Sequence, residues 1–267
     1  MTTPGLAASA KACCAAAYST DAVGLVLGDS YHPGGWRLTR RLAELCDLRP
    51  NQHVLDLASG PGTTALLLAA EYGVRVDGVD LAAASVERAT AAAAKTGQDE
   101  FVSFRTADAE RLPFEDCTFD VVFCECAFCT FPDKATAAAE VFRVLKPGGR
   151  LALSDVTLST GGLPPELQGL AGWVSCVADA RSLEDYAEIL AGAGLVVMST
   201  GQHDESMHAF VDQIDARLKA LKLIPTVRSA LDGLDLDRAL DLTKHASRAV
   251  AQGSIGYGVL VAWRPDV

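Results

Sequence analysis

Eight cysteines in a chain of 267 residues are the first feature that could do chemistry. Cys124, Cys126 and Cys129 crowd one stretch, Cys124-Glu125-Cys126-Ala127-Phe128-Cys129. Cys13 and Cys14 are adjacent near the start, and Cys176 closes Trp173-Val174-Ser175-Cys176. Thiolates are soft ligands and select soft, thiophilic centres. A disulfide framework is the weaker reading for a chain expected in a reducing cytoplasm. Zinc-knuckle spacing is missing from Cys-x-Cys-x-x-Cys, so no structural metal is expected. Cys46 and Cys117 read as packing residues. A second constellation is Asp56-Leu57-Ala58-Ser59-Gly60-Pro61-Gly62-Thr63-Thr64, with Asp80 and Asp108 further on. Glycines there let a ligand approach backbone N–H groups at a helix start, and an acid ending the next strand can accept ribose hydroxyls.

These residues need a scaffold, and the hydrophobic pattern supplies one. Short apolar strands are expected at 53–57, 74–79, 101–106, 119–124 and 150–156. Helices are expected at 63–72, 82–95 and 132–145, the last stopped by Pro147-Gly148-Gly149. Alternation of this kind implies a parallel, doubly wound α/β sheet. Residues 24–35 read as a turn-rich loop and 36–47 as an amphipathic helix. A helix at 183–193, strands at 195–199 and 254–263, and a largely helical 205–250 complete the pattern. The expected division is an N-terminal lid (1–48), a core (49–204), and a helical insertion with a final strand (205–267) in the same domain. Lid and insertion are expected to cover the acceptor pocket.

Composition excludes several functions. The net charge is −11, which repels phosphate backbones and argues against nucleic acid. Aromatics are 6% of residues, too few for a base-stacking platform. No apolar run reaches membrane-spanning length and the first ten residues lack a signal-peptide pattern, so a cytoplasmic protein is expected, with a homodimer possible.

In the order of their motifs, residues 50–156 resemble the class I S-adenosylmethionine-dependent methyltransferases. The resemblance implies a Rossmann-like, seven-stranded fold. It also implies S-adenosylmethionine as methyl donor and S-adenosylhomocysteine as product. Asp56, Gly60 and Gly62 match the first motif, with Ala58 where the family has its first glycine. Asp80, followed by Leu81, matches the ribose-binding acid. Asp108 with Ala109 matches the adenine-binding pair. Val141-Phe142-Arg143-Val144-Leu145-Lys146-Pro147-Gly148-Gly149 matches the signature after the fourth strand. A nicotinamide-dependent dehydrogenase would want a third glycine near Ala65, and a module that binds without chemistry is the other alternative.

For the methyl acceptor, the thiols resemble those of arsenite methyltransferases over residues 10–200. By position, Cys13 and Cys14 match the N-terminal cysteine region, Cys126 the thiol after the fourth strand, and Cys176 the one after the fifth. Glu125 stands where that family has Asn. These four cysteines are therefore expected to hold a soft acceptor, arsenite first and a small thiol or sulfide second. Methyl transfer itself needs no metal. Strand alternation puts Cys124 on the same face as Cys126. It is expected mainly to pack and is counted with the cofactor-contacting group. The alternative is a C- or O-methyltransferase of secondary or quinone metabolism with inert cysteines. That chemistry wants a placed base, and no His–acid pair is evident after the fourth or fifth strand. His32 is a candidate for contact with acceptor or cofactor, Tyr18 and Trp36 for the pocket wall. His203 and His208 read as surface residues.

Overall fold

The computed structural model describes residues 18, 20–28, 30–159, 161–163, 167, 177, 179–224 and 235–266. Seven strands form one sheet: β1 (His53–Leu57), β2 (Arg75–Asp80), β3 (Val102–Thr106), β4 (Phe119–Glu125), β5 (Leu145–Leu158), β6 (Val196–Gln202) and β7 (Ile255–Trp263). Their spatial order is β3-β2-β1-β4-β5-β7-β6. The first five strands run parallel, and β7 is antiparallel to both β5 and β6. The order reverses between β1 and β4, the place where open α/β sheets bind ligands at their carboxyl ends.

Helices α3 (Thr63–Tyr72), α4 (Ala83–Thr96) and α5 (Lys134–Val144) are the crossovers of the parallel part. The run 63–72 is helical as expected. It is apolar nearly all round, as a helix packed closely on a sheet must be. Asp133 caps α5, its Oδ1 accepting from the Thr136 N–H at 2.9 Å, so the helix starts two residues later than the apolar pattern suggests. β5 starts earlier than expected. Leu145 already pairs with Phe119, and a register shift lets Pro147-Gly148-Gly149 pass inside the strand.

Two elements precede the sheet. α2 (Gly35–Leu45) buries Leu38, Thr39, Leu42 and Ala43 on one stripe, and α1 (Asp21–Leu27) occupies a stretch expected to be loop. Thr20 caps α1 by accepting from the Val23 N–H. Gly24 argued against a helix there, but the cap and tertiary packing override a propensity cost of about 1 kcal/mol. After β5 come α6 (Leu183–Gly192), with a reciprocal Ser182–Asp185 capping box, then α7 (Asp204–Lys222) and α8 (Leu236–Ala251). α7 packs on α8, on β7 and on α1, where the Arg217 guanidinium donates to the Val26 carbonyl at 3.4 Å. No described helix is long and apolar enough to cross a membrane.

Candidate active site

A cavity opens at the carboxyl ends of β1, β2 and β4. Its first wall is the turn after β1. Ala58 and Gly60 line it, both with left-handed backbone (φ 61° and 51°). A Cβ on Gly60 would meet nothing within 4 Å, so this glycine leaves space on the ligand side. Gly62 works differently and does not line the cavity. Its φ is +83°, and a Cβ there would lie 2.7 Å from Phe104 and 2.9 Å from Ala89. It lets α3 start tightly against β3 and α4. Ser59 also lines the cavity; it is 7% exposed, and its hydroxyl finds no hydrogen-bond partner among the described residues.

Acids come next. Asp80 ends β2 facing the cavity, where its Oδ2 accepts from the Gly60 N–H at 2.9 Å and its Oδ1 from Ala82 N–H at 2.8 Å. Each oxygen keeps a second lone pair for a ligand hydroxyl. Burial raises its pKa against those two bonds. Asp56 is 3% exposed and accepts from the Ala65 N–H at 3.1 Å. Burial first, then the charges of Glu125 and Asp80, push it up to about 8. Leu81 and Ala109 line the cavity, as the motifs imply. Asp108 does not: its Oδ1 accepts the Glu110 N–H at 2.8 Å and shapes the turn that presents Ala107 and Ala109.

The wall opposite holds a cluster that spacing in the sequence did not reveal. Glu125, last residue of β4, has a side chain only 4% exposed. Thr64 of α3 donates to its Oε2 at 2.7 Å, and Thr39 of α2 donates at 3.1 Å to each oxygen. His32 Nε2 lies 3.6 Å from Oε2. His32 is itself buried, and its Nδ1 sits 3.2 Å from the Pro33 carbonyl. Nδ1 is thus placed to donate to that carbonyl, and Nε2 turns toward Thr39 and Glu125. Thr39 Oγ1 lies 3.5 Å from Nε2 but directs its single proton to the nearer carboxylate. A His–acid pair therefore does stand after β4, contrary to the expectation. Its two local signals were present: an acid where the arsenite family has Asn, and a histidine in the preceding loop. Tyr18 and Tyr31 share the wall, while Trp36 is 48% exposed and outside it.

Cys126 lines the cavity just beyond the end of β4, with its N–H donated to the Ser154 carbonyl at 2.7 Å and φ at +55°. That left-handed turn breaks strand alternation. Cys124, expected to share its face, is 1% exposed and absent from the cavity wall, and burial raises its thiol pKa well above the ordinary value. Its place with the cofactor-contacting residues is thus corrected to packing. Cys129 is also buried. Below the same wall, Lys134 is 5% exposed and donates to the carbonyls of Cys129 (2.8 Å) and Phe131 (3.0 Å) and to Asp179 (2.6 Å). Buried Asp155 accepts from the Cys129 N–H at 2.9 Å. Both hold the short turn Phe128–Thr130 that follows Cys126. Cys13, Cys14 and Cys176 lie outside the described residues. No described residue of α7 or α8 lines the cavity; α7 packs on α1 instead, and α8 on α7 and β7.

The family model of the methyltransferase domain matches residues 55–153. The 27-O-demethylrifamycin SV methyltransferase of Amycolatopsis mediterranei is 32% identical over 254 residues, covering 90% of this chain and 91% of that protein. An arsenite methyltransferase of Halobacterium salinarum is 34% identical over 175 residues, 63% of this chain and 43% of the relative. Phosphoethanolamine N-methyltransferase 2 of Haemonchus contortus, solved with S-adenosylmethionine, superposes with a TM-score of 0.77 at 21% identity over 94% of this chain and 57% of that one. The chain belongs to the class I S-adenosylmethionine-dependent methyltransferases. It is an enzyme, and S-adenosylmethionine is its methyl donor.

Proposed function

We propose that the enzyme methylates a hydroxyl group of a small molecule, with His32 as general base. The observation that carries this reading is the buried His32–Glu125 pair at the wall of the cavity. The donor cavity fits the residues present: Gly60 leaves room, Asp80 offers acceptors for ribose hydroxyls, and the Ser59 hydroxyl awaits a partner. Asp56, Ala58, Leu81 and Ala109 would complete that wall. When bound, S-adenosylmethionine supplies an electrophilic methyl carbon on a sulfonium sulfur. His32 Nε2 takes the proton of the acceptor hydroxyl as its oxygen bonds to the methyl carbon, and the C–S bonding pair goes to the departing sulfur. Glu125 then faces the imidazolium and offsets its charge. Thr39 and Thr64 hold the carboxylate still, so no reorganisation is needed as the charge develops. The rifamycin-family relative, named for an O-demethyl acceptor and matched along nearly its whole length, supports an oxygen nucleophile.

Cys126 favours a second reading. A thiol on the cavity wall could hold arsenite or orient a small thiol, jointly with Cys13, Cys14 or Cys176, and the arsenite methyltransferase relative supports it. Labelled S-adenosylmethionine with phenols, hydroxylated macrocycles, arsenite and small thiols in parallel separates the two. Oxygen methylation is expected, with kcat lowered about 100-fold or more by His32→Asn and little changed by Cys126→Ala. Methylated arsenic or sulfur lost on Cys126→Ala would replace the first reading with the second.

A further inference from the structure

Three carboxylates line this one cavity: Asp56, Asp80 and Glu125. Among the described residues of its wall there is no Lys or Arg, and His32 is the one group able to carry positive charge. The hydrogen bonds these acids receive come from neutral donors: backbone N–H groups on Asp56 and Asp80, threonine hydroxyls on Glu125. Asp56, pushed up to about 8, keeps its proton near neutral pH, so the negative charge of this wall falls to Asp80 and Glu125, and a cationic ligand is favoured beside them. The unpartnered Ser59 hydroxyl marks the same cavity as built for a ligand.

We infer that this wall discriminates between donor and spent donor by charge, and that Glu125 is the determinant. The donor carries a positive sulfonium, which transfer converts into a neutral thioether. The attraction to Glu125 is thereby lost with the methyl group, and the product is released rather than retained. Asp80 matches the family's ribose-binding acid, and the ribose is the same in donor and product. Glu125 is the acid that β4 adds on the acceptor side, where the methyl must leave. The inference rests on the donor, and is independent of whether oxygen or sulfur receives the methyl.

Calorimetric titration of the full-length enzyme tests it without any acceptor. S-adenosylmethionine and sinefungin, whose amine carries a charge at the sulfonium position, are expected to bind at least about tenfold more tightly than S-adenosylhomocysteine. Equal binding of all three to the wild-type enzyme would overturn the inference, whatever the variants do. Glu125→Gln should weaken the two cations about tenfold and shift S-adenosylhomocysteine less than twofold. Glu125→Asp, which keeps the charge, should retain the preference. Loss of affinity for all three ligands in parallel would make Glu125 a structural residue and sink the idea. No binding of S-adenosylmethionine at all would instead remove the donor assignment beneath it.

Discussion

On one side of the cavity the surface is mostly backbone. The turn from Ala58 to Gly62 and the N–H groups of Gly60 and Ala82 come from two adjacent parallel strands, within 25 residues of one another. On the other side it is mostly side chains delivered from far apart. Thr39 and Glu125 are separated by 86 positions, and Thr64 and Glu125 by 61. A wall made of backbone is indifferent to many side-chain identities. One assembled from side chains can change its chemistry at single positions.

The sharpest way to break the contrast is at Gly62. Gly62→Val forces a branched Cβ against Phe104 and Ala89 at a left-handed residue. Denaturant titration should show a loss of about 3 kcal/mol or more, and a mild effect would mean the turn is not rigid. Gly60→Ala, with open space around it but a left-handed backbone (φ +51°), should cost about 1–2 kcal/mol.

The acceptor side has its own fixed point in Lys134. Lys134→Met orphans the carbonyls of Cys129 and Phe131, in the turn that follows Cys126, and should lower stability by about 2–3 kcal/mol. Acceptor KM should rise while the donor Kd holds. Donor affinity falling equally would erase the division between the two sides.

A smaller effect concerns pH. Asp56 is pushed up to about 8, far above the ordinary carboxylate range, by burial, Glu125 and Asp80, against the single N–H of Ala65. The folded protein therefore binds a proton that the unfolded chain has released. Stability from this group is complete below about pH 4 and is lost as pH rises toward 8, with a slope of at most about 1.4 kcal/mol per pH unit. Asp56→Asn should flatten that part of the stability curve, measured without ligand. The reverse slope would place the proton elsewhere.

The least effect is expected at Cys126. Replacing it with glycine relieves its positive φ but adds unfolded-state entropy, for a net change within about 1 kcal/mol. Ala58→Gly should behave alike, and a large loss at Cys126 alone would mean that its side chain supports the acceptor side.

The backbone-built side was legible in the sequence because its determinants are local. Asp56, Gly60 and Asp80 each sit at a strand end that alternation and turn residues announce. Sequence exaggerated the roles of Gly62 and Asp108: both belong to the motifs, yet one seats a helix and the other shapes a turn. Helix α1 was hidden by Gly24, since its stability comes from a cap and from α7. The His32–Glu125 pair was illegible as a pair, because only the closed sheet brings α2, α3 and β4 together. Cys124 and Cys126 were misassigned to one face because alternation was carried one residue past the end of β4.

The placement of β7 has a temporal consequence. This strand is inserted between β5 and β6, with antiparallel ladders to both, yet it is the last of the seven to leave the ribosome. Until it arrives, β5 is an open edge and β6 has nothing to pair with. The parallel half, with its glycine turn and acids, has all its strands in hand by residue 158. Nascent chains should thus pass through a stage with a formed donor half and an exposed apolar edge. During synthesis, that edge is where chaperones would have most to protect.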